Sequence, residues 1–262
     1  MPRPIRVGVS RCVNVLSQGL TPSWPVTQAL FMAPRSLEDV EWDQGLARLR
    51  DELMPMRRPP SDDLFSLGGQ RLPCWLPDDD QPDDDWLRSS AYYPLYHNLF
   101  KLLARGAAEV RLLEIGVRTG YIAAVFARAV EGRRRYVGVD PGLYVRDGLQ
   151  RAARTLTALK DSGGDIEFEL IDGFSTDAAV QRTLRGMARF DIVHIDGDHT
   201  LTGKLRDLEL ARHLVTPSGL VLVDDATHIP SNADAVARAA RLQWYRRVGY
   251  VATKRGLALL GL

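Results

Sequence analysis

The 262-residue sequence has few cysteines, no long apolar run and no excess of one charge. Its only cysteines, Cys12 and Cys74, suit neither a disulfide framework nor a zinc-ribbon spacing, so we expect two free thiols in a reducing compartment. No stretch reaches the length of a membrane-spanning helix and no signal peptide is recognisable, which predicts a soluble, cytoplasmic protein. The 34 basic and 33 acidic residues nearly cancel, which argues against a nucleic-acid-binding protein.

Proline interrupts the first third of the chain repeatedly and disfavours long regular elements there. One short helix is predicted over residues 36–53, with Ser36 as its cap. The acidic run at residues 78–85 is expected to be a solvated loop, because neighbouring like charges repel. We therefore predict that residues 1–88 are an N-terminal extension that serves as a lid, an acceptor-binding segment or an oligomerisation surface.

From residue 89 onward, apolar strand-like segments alternate with amphipathic helical segments. This alternation predicts an α/β domain at residues 89–262, with a Rossmann-like, doubly wound and mostly parallel sheet. The last two strands are joined too briefly for a parallel crossover, so the last strand is expected to run antiparallel. The predicted strands are residues 110–115, 135–139, 166–171, 191–195, 220–223, 244–251 and 257–262. The predicted helices are a segment from Ser89 or Ser90 to Leu103 and residues 119–130, 146–160, 176–187, 201–213 and 232–242.

A glycine-rich turn follows the first strand of this domain and opens a helix. Gly116 and Gly120 would let the backbone turn tightly and approach a ligand, while the helix start offers free N–H groups. Glu114 precedes the turn, and Asp140 ends the next strand, where the ribose hydroxyls of a nucleotide-type ligand lie in doubly wound folds. The third strand ends at Asp172, and Gly173 and Phe174 follow it. Such a row of carboxylates at one sheet edge indicates a binding function.

The spacing of these glycines differs from the G-x-G-x-x-G of dinucleotide-binding enzymes. It resembles the first motif of class I S-adenosylmethionine-dependent methyltransferases, Glu-x-Gly-x-x-x-Gly, which Glu114, Gly116 and Gly120 match. The resemblance implies that this loop wraps the methionine part of the cofactor. It also implies that Asp140 holds the ribose hydroxyls and that Asp172 lies near the adenine amino group. The resemblance covers residues 89–262 only.

A second group of carboxylates follows the next two strands. Asp196, Asp224 and Asp225 are expected at the same edge of the sheet, where they would repel one another unless protonated or bound to a cation. Oxygen ligands favour Mg²⁺, with Ca²⁺ or Mn²⁺ as substitutes. The alternative is that some of these aspartates only cap helices. The pattern resembles the metal-dependent small-molecule O-methyltransferases, closer to the antibiotic-sugar and cephalosporin-tailoring branch than to the caffeoyl-CoA and catechol type.

Two neighbouring side chains are candidates for a general base. His199 lies three residues after Asp196 and Asp198 lies two residues after it. We prefer His199 slightly, because a neutral imidazole suits proton transfer near neutral pH, although helix capping would also explain it. His194 lies within a strand and is predicted to be an interior histidine.

The sequence therefore predicts an S-adenosylmethionine-dependent enzyme that methylates a hydroxyl group of a small molecule, such as a sugar or a phenolic natural-product intermediate, with the help of a divalent cation. The acceptor is expected to be a small molecule rather than a nucleic acid or a membrane, and homo-oligomerisation is common in the resembled families. Two alternatives stay open: a metal-independent N- or O-methyltransferase, and a non-catalytic protein that binds the same cofactor.

Overall fold

A computed structural model of the protein describes residues 24–30, 32, 43–53, 56, 64–76, 92–251 and 255–262. Cys12, residues 36–42, the acidic run and the predicted helix cap at Ser89 or Ser90 lie outside these residues. None of the described helices has the length and apolar content that a membrane span requires.

A seven-stranded sheet forms the centre of the domain, in the order β5-β4-β3-β6-β7-β9-β8. Strands β3 to β7 pair in parallel, whereas β9 runs antiparallel to both β7 and β8. The predicted mostly parallel sheet with an antiparallel last strand is thus confirmed. The strands are β3 Glu109–Ile115, β4 Arg133–Asp140, β5 Ile166–Asp172, β6 Phe190–Ile195, β7 Val215–Val223, β8 Arg247–Val251 and β9 Leu257–Gly261.

Helices cover both faces of this sheet. Side chains alternate between its two sides along each strand, so apolar side chains on both sides pack against helices. In β3, Leu112 packs into the core under the helices of one face, while Leu113 packs into the core of the other face. The first face carries α3 Tyr92–Leu103, α4 Tyr121–Ala129 and α5 Gly148–Asp161; the second carries α1 Trp24–Leu30, α6 Ala178–Gly186, α7 Leu201–Leu214 and α8 Pro230–Arg241.

The described parts of residues 1–88 pack directly on this domain. Arg238 of α8 donates hydrogen bonds to the backbone oxygens of Ala29 and Leu30, at 2.7 and 2.9 Å. On the other face, the backbone N–H of Leu76 donates to the Tyr121 hydroxyl at 3.0 Å. The division at residue 88 stays a prediction, but these contacts attach the extension to both faces of the domain.

Two elements of the extension were not predicted from the sequence, and a third, a helix, begins later than predicted. Helix α1 was missed because Pro25 was interpreted as an interruption, although proline is tolerated in a first helical turn. A short hairpin, β1 Ser66–Leu67 and β2 Gln70–Arg71, was missed as well. Helix α2 covers Gln44–Leu53, and the Asp43 carboxylate accepts the Leu46 N–H at 3.0 Å, so Asp43 caps it.

Candidate active site

A cavity of about 600 Å³ opens at the carboxyl ends of the parallel strands. The turns that follow β3, β4, β5 and β6 contribute most of its lining. Tyr92 and Tyr121 add aromatic rings, and Arg255 adds a positive charge. Doubly wound sheets bind ligands at this edge, and most of the candidate residues line the cavity there, whereas Gly120, Asp172 and Asp224 are not part of its lining.

The glycine-rich turn is too closely packed for any side chain at two positions. Gly116 has φ of 93°, and a Cβ atom there would lie under 3.0 Å from the Asp196 carbonyl oxygen, closer than real Cβ atoms come. Gly120 has φ of 94°, and its Cβ would lie 2.8 Å from that of Ala152. The backbone of this turn therefore needs glycine at both positions, as predicted, and it forms one wall of the cavity.

Asp140 ends β4 with its carboxylate held in place by the backbone of the cavity wall. One oxygen accepts the Arg118 N–H at 2.9 Å and the other accepts the Gly142 N–H at 2.6 Å. The residue is buried but lines the cavity. Because each carboxylate oxygen has two acceptor sites, both can still accept a hydrogen bond from a ligand hydroxyl.

The end of β5 divides the predicted residues into two groups. Gly173 and Phe174 line the cavity, whereas Asp172 is exposed and is not part of the lining. Phe174 joins Leu143 and Tyr144 as exposed apolar side chains around the cavity, and Tyr144 is 89% exposed. The proposed contact between Asp172 and an adenine amino group therefore stays a prediction.

Glu114 is the cavity end of a buried polar chain. The Tyr136 hydroxyl donates to one of its carboxylate oxygens, and His194 Nδ1 lies 3.6 Å from the other. His194 is fully buried, as predicted for an interior histidine, and its Nε2 lies 3.0 Å from the Tyr96 hydroxyl. Burial raises the pKa of Glu114, against the opposite effect of His194. Burial lowers the pKa of His194, but the hydrogen bond and charge of Glu114, together with the charges of Asp224 and Asp196, raise it overall.

Asp196, His199 and Asp225 form a group whose potential ligand atoms all lie within 4.8 Å of one another. His199 Nε2 lies 3.3 Å from an Asp196 oxygen, and the Ser231 hydroxyl donates to the His199 carbonyl oxygen at 2.5 Å. Burial acts to raise the pKa of Asp196, but the hydrogen bond from His199 and further positive charges lower it overall. Two carboxylates and one imidazole are a donor set that suits a divalent cation.

Asp225 adopts an unusual backbone conformation and is paired with a cation of the protein itself. Its φ is 55°, a left-handed value that is uncommon for residues other than glycine and concentrates at functional sites. Arg255 Nη1 lies 3.0 Å from both carboxylate oxygens. Burial raises the pKa of Asp225, and the positive charge of Arg255 opposes this shift.

Asp224, the third predicted ligand, is buried and engaged elsewhere. The Tyr92 hydroxyl donates to one carboxylate oxygen, and the Asp225 N–H donates to the other at 2.8 Å. Burial, followed by the neighbouring charge of Asp196, raises the pKa of Asp224 to about 7. The structure thus groups two of the three predicted carboxylates with His199 and holds Asp224 through Tyr92.

Asp198, the second candidate base, lies at the start of α7. Its carboxylate accepts the Thr200 N–H at 2.8 Å, and Thr200 in turn caps the helix by accepting the Gly203 N–H at 3.1 Å. Asp198 also lines the cavity. Its hydrogen bond supports a structural role at the helix start, while its position keeps it available as a base.

Four functional candidates were absent from the sequence analysis: Tyr92, Lys204, Asp207 and Arg255. Lys204 is fully buried, and its amino group has no hydrogen-bond partner among the described residues. Asp207 lines the cavity and accepts a hydrogen bond from the Ser175 hydroxyl at 2.5 Å. Burial raises its pKa to about 6, against the attraction of Lys204. One signal pointed to Arg255: it precedes the antiparallel last strand, which must begin at the cavity edge.

Comparison with known proteins gives one family match and many matches of fold. Residues 113–226 match the model of a family described as a methyltransferase domain. No curated protein matches the sequence significantly. Among solved structures, CalS11, a TDP-rhamnose 3′-O-methyltransferase of calicheamicin biosynthesis, has 15% identity and a TM-score of 0.51, over 85% of this chain and 96% of that one.

Two other solved structures give lower TM-scores. The O-methyltransferase TomG of Streptomyces achromogenes has 20% identity and a TM-score of 0.48, over 86% of this chain and 92% of that one. A methyltransferase from Geobacter sulfurreducens has 23% identity and a TM-score of 0.47, over 63% of this chain and 76% of that one. At such identities the likeness to CalS11 shows the fold.

Proposed function

We propose, from the premise that the chain is a methyltransferase with the class I fold, that it transfers the methyl group of S-adenosylmethionine to a hydroxyl group of a small molecule with the help of a divalent cation. The observation that carries the proposal is the juxtaposition in one cavity of a glycine-rich turn, Asp140 and the group of Asp196, His199 and Asp225. The first two features suit the cofactor, and the third suits the activation of a hydroxyl group.

The wall formed by β3 and β4 fits the cofactor. The turn at Gly116 and Gly120 packs closely against Asp196 and Ala152 and exposes backbone to the cavity at Gly116, and Asp140 offers acceptors for two neighbouring hydroxyl groups. The sulfonium methyl group of S-adenosylmethionine is already electrophilic, so this part of the site has to bind and orient the cofactor. In-line positioning of the two reactants supplies much of the rate enhancement.

Asp196 and Asp225 fit a divalent cation, with Mg²⁺ or Mn²⁺ as the candidates suggested by carboxylate donors. A cation bound there would lower the pKa of a coordinated hydroxyl group and orient it. Asp224 is placed beside this pair, with Tyr92 fixing its carboxylate. We therefore assign the ligand role to Asp196 and Asp225 and a supporting role to Asp224.

His199 is assigned the role of base. If its Nε2 carries the proton that faces Asp196, then Nδ1 keeps a lone pair that can accept a proton from the acceptor. The Ser231 hydroxyl fixes the backbone of His199 by donating to its carbonyl oxygen. An imidazole with a free ring nitrogen can accept a proton and pass it on, which is the task of a general base.

Methyl transfer from S-[methyl-³H]adenosylmethionine to 3,4-dihydroxybenzoic acid tests the proposal, with 4-hydroxybenzoic acid as the acceptor that lacks the vicinal hydroxyl group. We expect transfer to the first acceptor only, loss of transfer with EDTA and recovery with Mg²⁺ or Mn²⁺. Asp196→Asn should abolish the recovery, whereas Glu169→Gln, an exposed residue of β5, should behave as the wild type. Full activity in EDTA would contradict the cation's part in the proposal.

A separate measurement distinguishes a base from a ligand at residue 199. If His199 is the base, His199→Asn should lower kcat and change its dependence on pH without altering the dissociation constant for Mn²⁺. If His199 is instead a ligand, Mn²⁺ affinity should fall in the same variant.

A metal-independent methyltransferase is the second candidate, and one observation favours it. Arg255 already compensates the charge of Asp225, and Lys204 is buried close enough to Asp196 to lower the pKa of that carboxyl. The cluster therefore holds positive charges of its own. Methyl transfer that persists in EDTA, and that is lost in His199→Asn, would select this candidate.

A further inference from the structure

We propose that Arg255 is a built-in counter-ion of Asp225 that a divalent cation has to displace, so that Arg255 determines how tightly the site binds metal ions. The inference rests on the cation site of the proposed function. It adds a residue that decides the affinity of that site.

The ion pair occupies both oxygens of Asp225. Arg255 Nη1 lies 3.0 Å from each of them, so a single N–H-bearing nitrogen bridges the carboxylate. The Asp225 side chain is only 3% exposed and that of Arg255 is 20% exposed, so water screens the pair weakly. A charge-assisted pair of this kind is stronger than one at an open surface.

Backbone hydrogen bonds hold Arg255 in place next to the turn after β7. The Thr227 and His228 N–H groups both donate to the Arg255 carbonyl oxygen, at 3.1 and 3.0 Å. The following residue, Gly256, accepts the Ala226 N–H at 3.0 Å and has φ of 77°. Hydrogen bonds therefore join the backbone at residues 255–256 to the turn at residues 226–228. They hold in place the backbone from which the Arg255 side chain reaches Asp225.

The charges of the cluster make the guanidinium and a metal ion competitors. Asp225 can contribute to a group with Asp196 and His199, whose candidate ligand atoms lie within 4.8 Å of its own. A divalent cation in that group would lie within a few ångströms of the Arg255 guanidinium, and two positive charges at that separation in a partly buried site repel strongly. The neighbouring Asp224 is not part of this group, and its carboxylate accepts hydrogen bonds from the Tyr92 hydroxyl and the Asp225 N–H.

A different role for Arg255 would have the opposite consequence. If the guanidinium only orients Asp225 and leaves room for a metal ion beside it, then removing Arg255 would free the carboxylate to move and would weaken metal binding. The sign of the change in affinity therefore separates the two roles, without any measurement of activity.

Titration with Mn²⁺ at pH 8, followed by the electron paramagnetic resonance signal of the free ion, provides the test in the absence of cofactor and acceptor. Arg255→Met removes the charge but keeps an apolar side chain of similar reach. We expect it to bind Mn²⁺ at least tenfold more tightly than the wild type, because charge-assisted hydrogen bonds contribute about that much. Arg255→Lys keeps the charge without the planar fork, and its affinity should lie between the two.

Arg246→Met is the matched control, because it makes the same change in net charge at an exposed residue before β8, at the opposite edge of the sheet. Its Mn²⁺ affinity should equal that of the wild type.

Equal or weaker binding of Mn²⁺ by Arg255→Met than by the wild type overturns the inference. If that variant does not fold, weaker binding by Arg255→Lys does the same. Absence of Mn²⁺ binding in all four proteins refutes the cation site itself and the inference with it, whereas wild-type binding with no gain in the variants refutes the inference alone.

Discussion

Replacing Gly116 by alanine adds one methyl group at a close contact between two turns of the site. The backbone there has φ of 93°, and the new Cβ would lie under 3.0 Å from the Asp196 carbonyl oxygen. Gly163, after α5, offers a matched control, because its φ of 101° is similarly unfavourable for alanine but no atom lies within 4 Å of the new Cβ. The pair separates backbone strain from the steric contact.

The magnitudes follow from these two contributions. The unfavourable φ should cost about 1–3 kcal/mol of unfolding free energy in both variants. Overpacking against a backbone oxygen typically adds about 1–3 kcal/mol, and only Gly116→Ala should show it. Because that contact joins the glycine-rich turn to Asp196, relief of the clash should also displace the proposed cofactor wall. We expect binding of S-adenosylhomocysteine to weaken at least tenfold in Gly116→Ala and to stay unchanged in Gly163→Ala.

Urea unfolding and isothermal titration calorimetry with S-adenosylhomocysteine measure the two effects on the same protein samples. Equal losses of stability in the two variants would show that the turn relaxes around the added methyl group. Unchanged affinity in Gly116→Ala would refute the reasoning that this turn is the cofactor wall.

Three further predictions concern buried carboxylates. The pKa of Asp207 is raised from 3.8 to about 6, so the native state holds this proton more tightly than the unfolded state, and wild-type stability should fall as pH rises through that window. Urea unfolding at pH 4 and pH 7 should therefore show that the stability of Asp207→Asn relative to the wild type increases by about 2 kcal/mol between the two pH values, and a constant difference would contradict this. Tyr136→Phe removes the hydroxyl donor of buried Glu114 and should cost about 1–3 kcal/mol of unfolding free energy. Tyr245→Phe should cost less, because the Tyr245 hydroxyl donates to a neutral carbonyl oxygen at 2.7 Å. Equal losses would refute the hydrogen bond assigned between Tyr136 and Glu114. Asp140→Asn should weaken S-adenosylhomocysteine about tenfold by calorimetry, since one acceptor becomes a donor, and unchanged affinity would argue against its ribose role.

Local sequence patterns were sufficient to predict the sheet and the residues at the carboxyl ends of its parallel strands. The alternation of apolar strands with amphipathic helices requires a parallel sheet, and parallel strands bring their carboxyl ends to one edge. This argument predicts Gly116, Asp140 and Asp196 at a common edge. The left-handed backbone at Gly116 follows from the same strand-to-helix turn, whereas its steric contact is with the Asp196 carbonyl oxygen, which is distant in the sequence.

Pairings between distant residues could not be predicted in this way. Tyr92 and Asp224 are separated by 132 residues, so no local pattern links the hydroxyl to the carboxylate that it engages. Lys204 lies in a helix with polar residues on several sides, and nothing in the sequence marks it as buried. For Arg255 the sequence does hold the information, because an antiparallel last strand has to start at the cavity edge and Arg255 lies two residues before that strand.

The most direct test of the central claim is calorimetric titration of the wild-type protein with S-adenosylhomocysteine and, separately, with NAD⁺. The glycine spacing and the position of Asp140 predict one saturable site per chain for S-adenosylhomocysteine and no binding of NAD⁺. Absence of binding by S-adenosylhomocysteine, or saturable binding of NAD⁺ at the same site, would contradict the account.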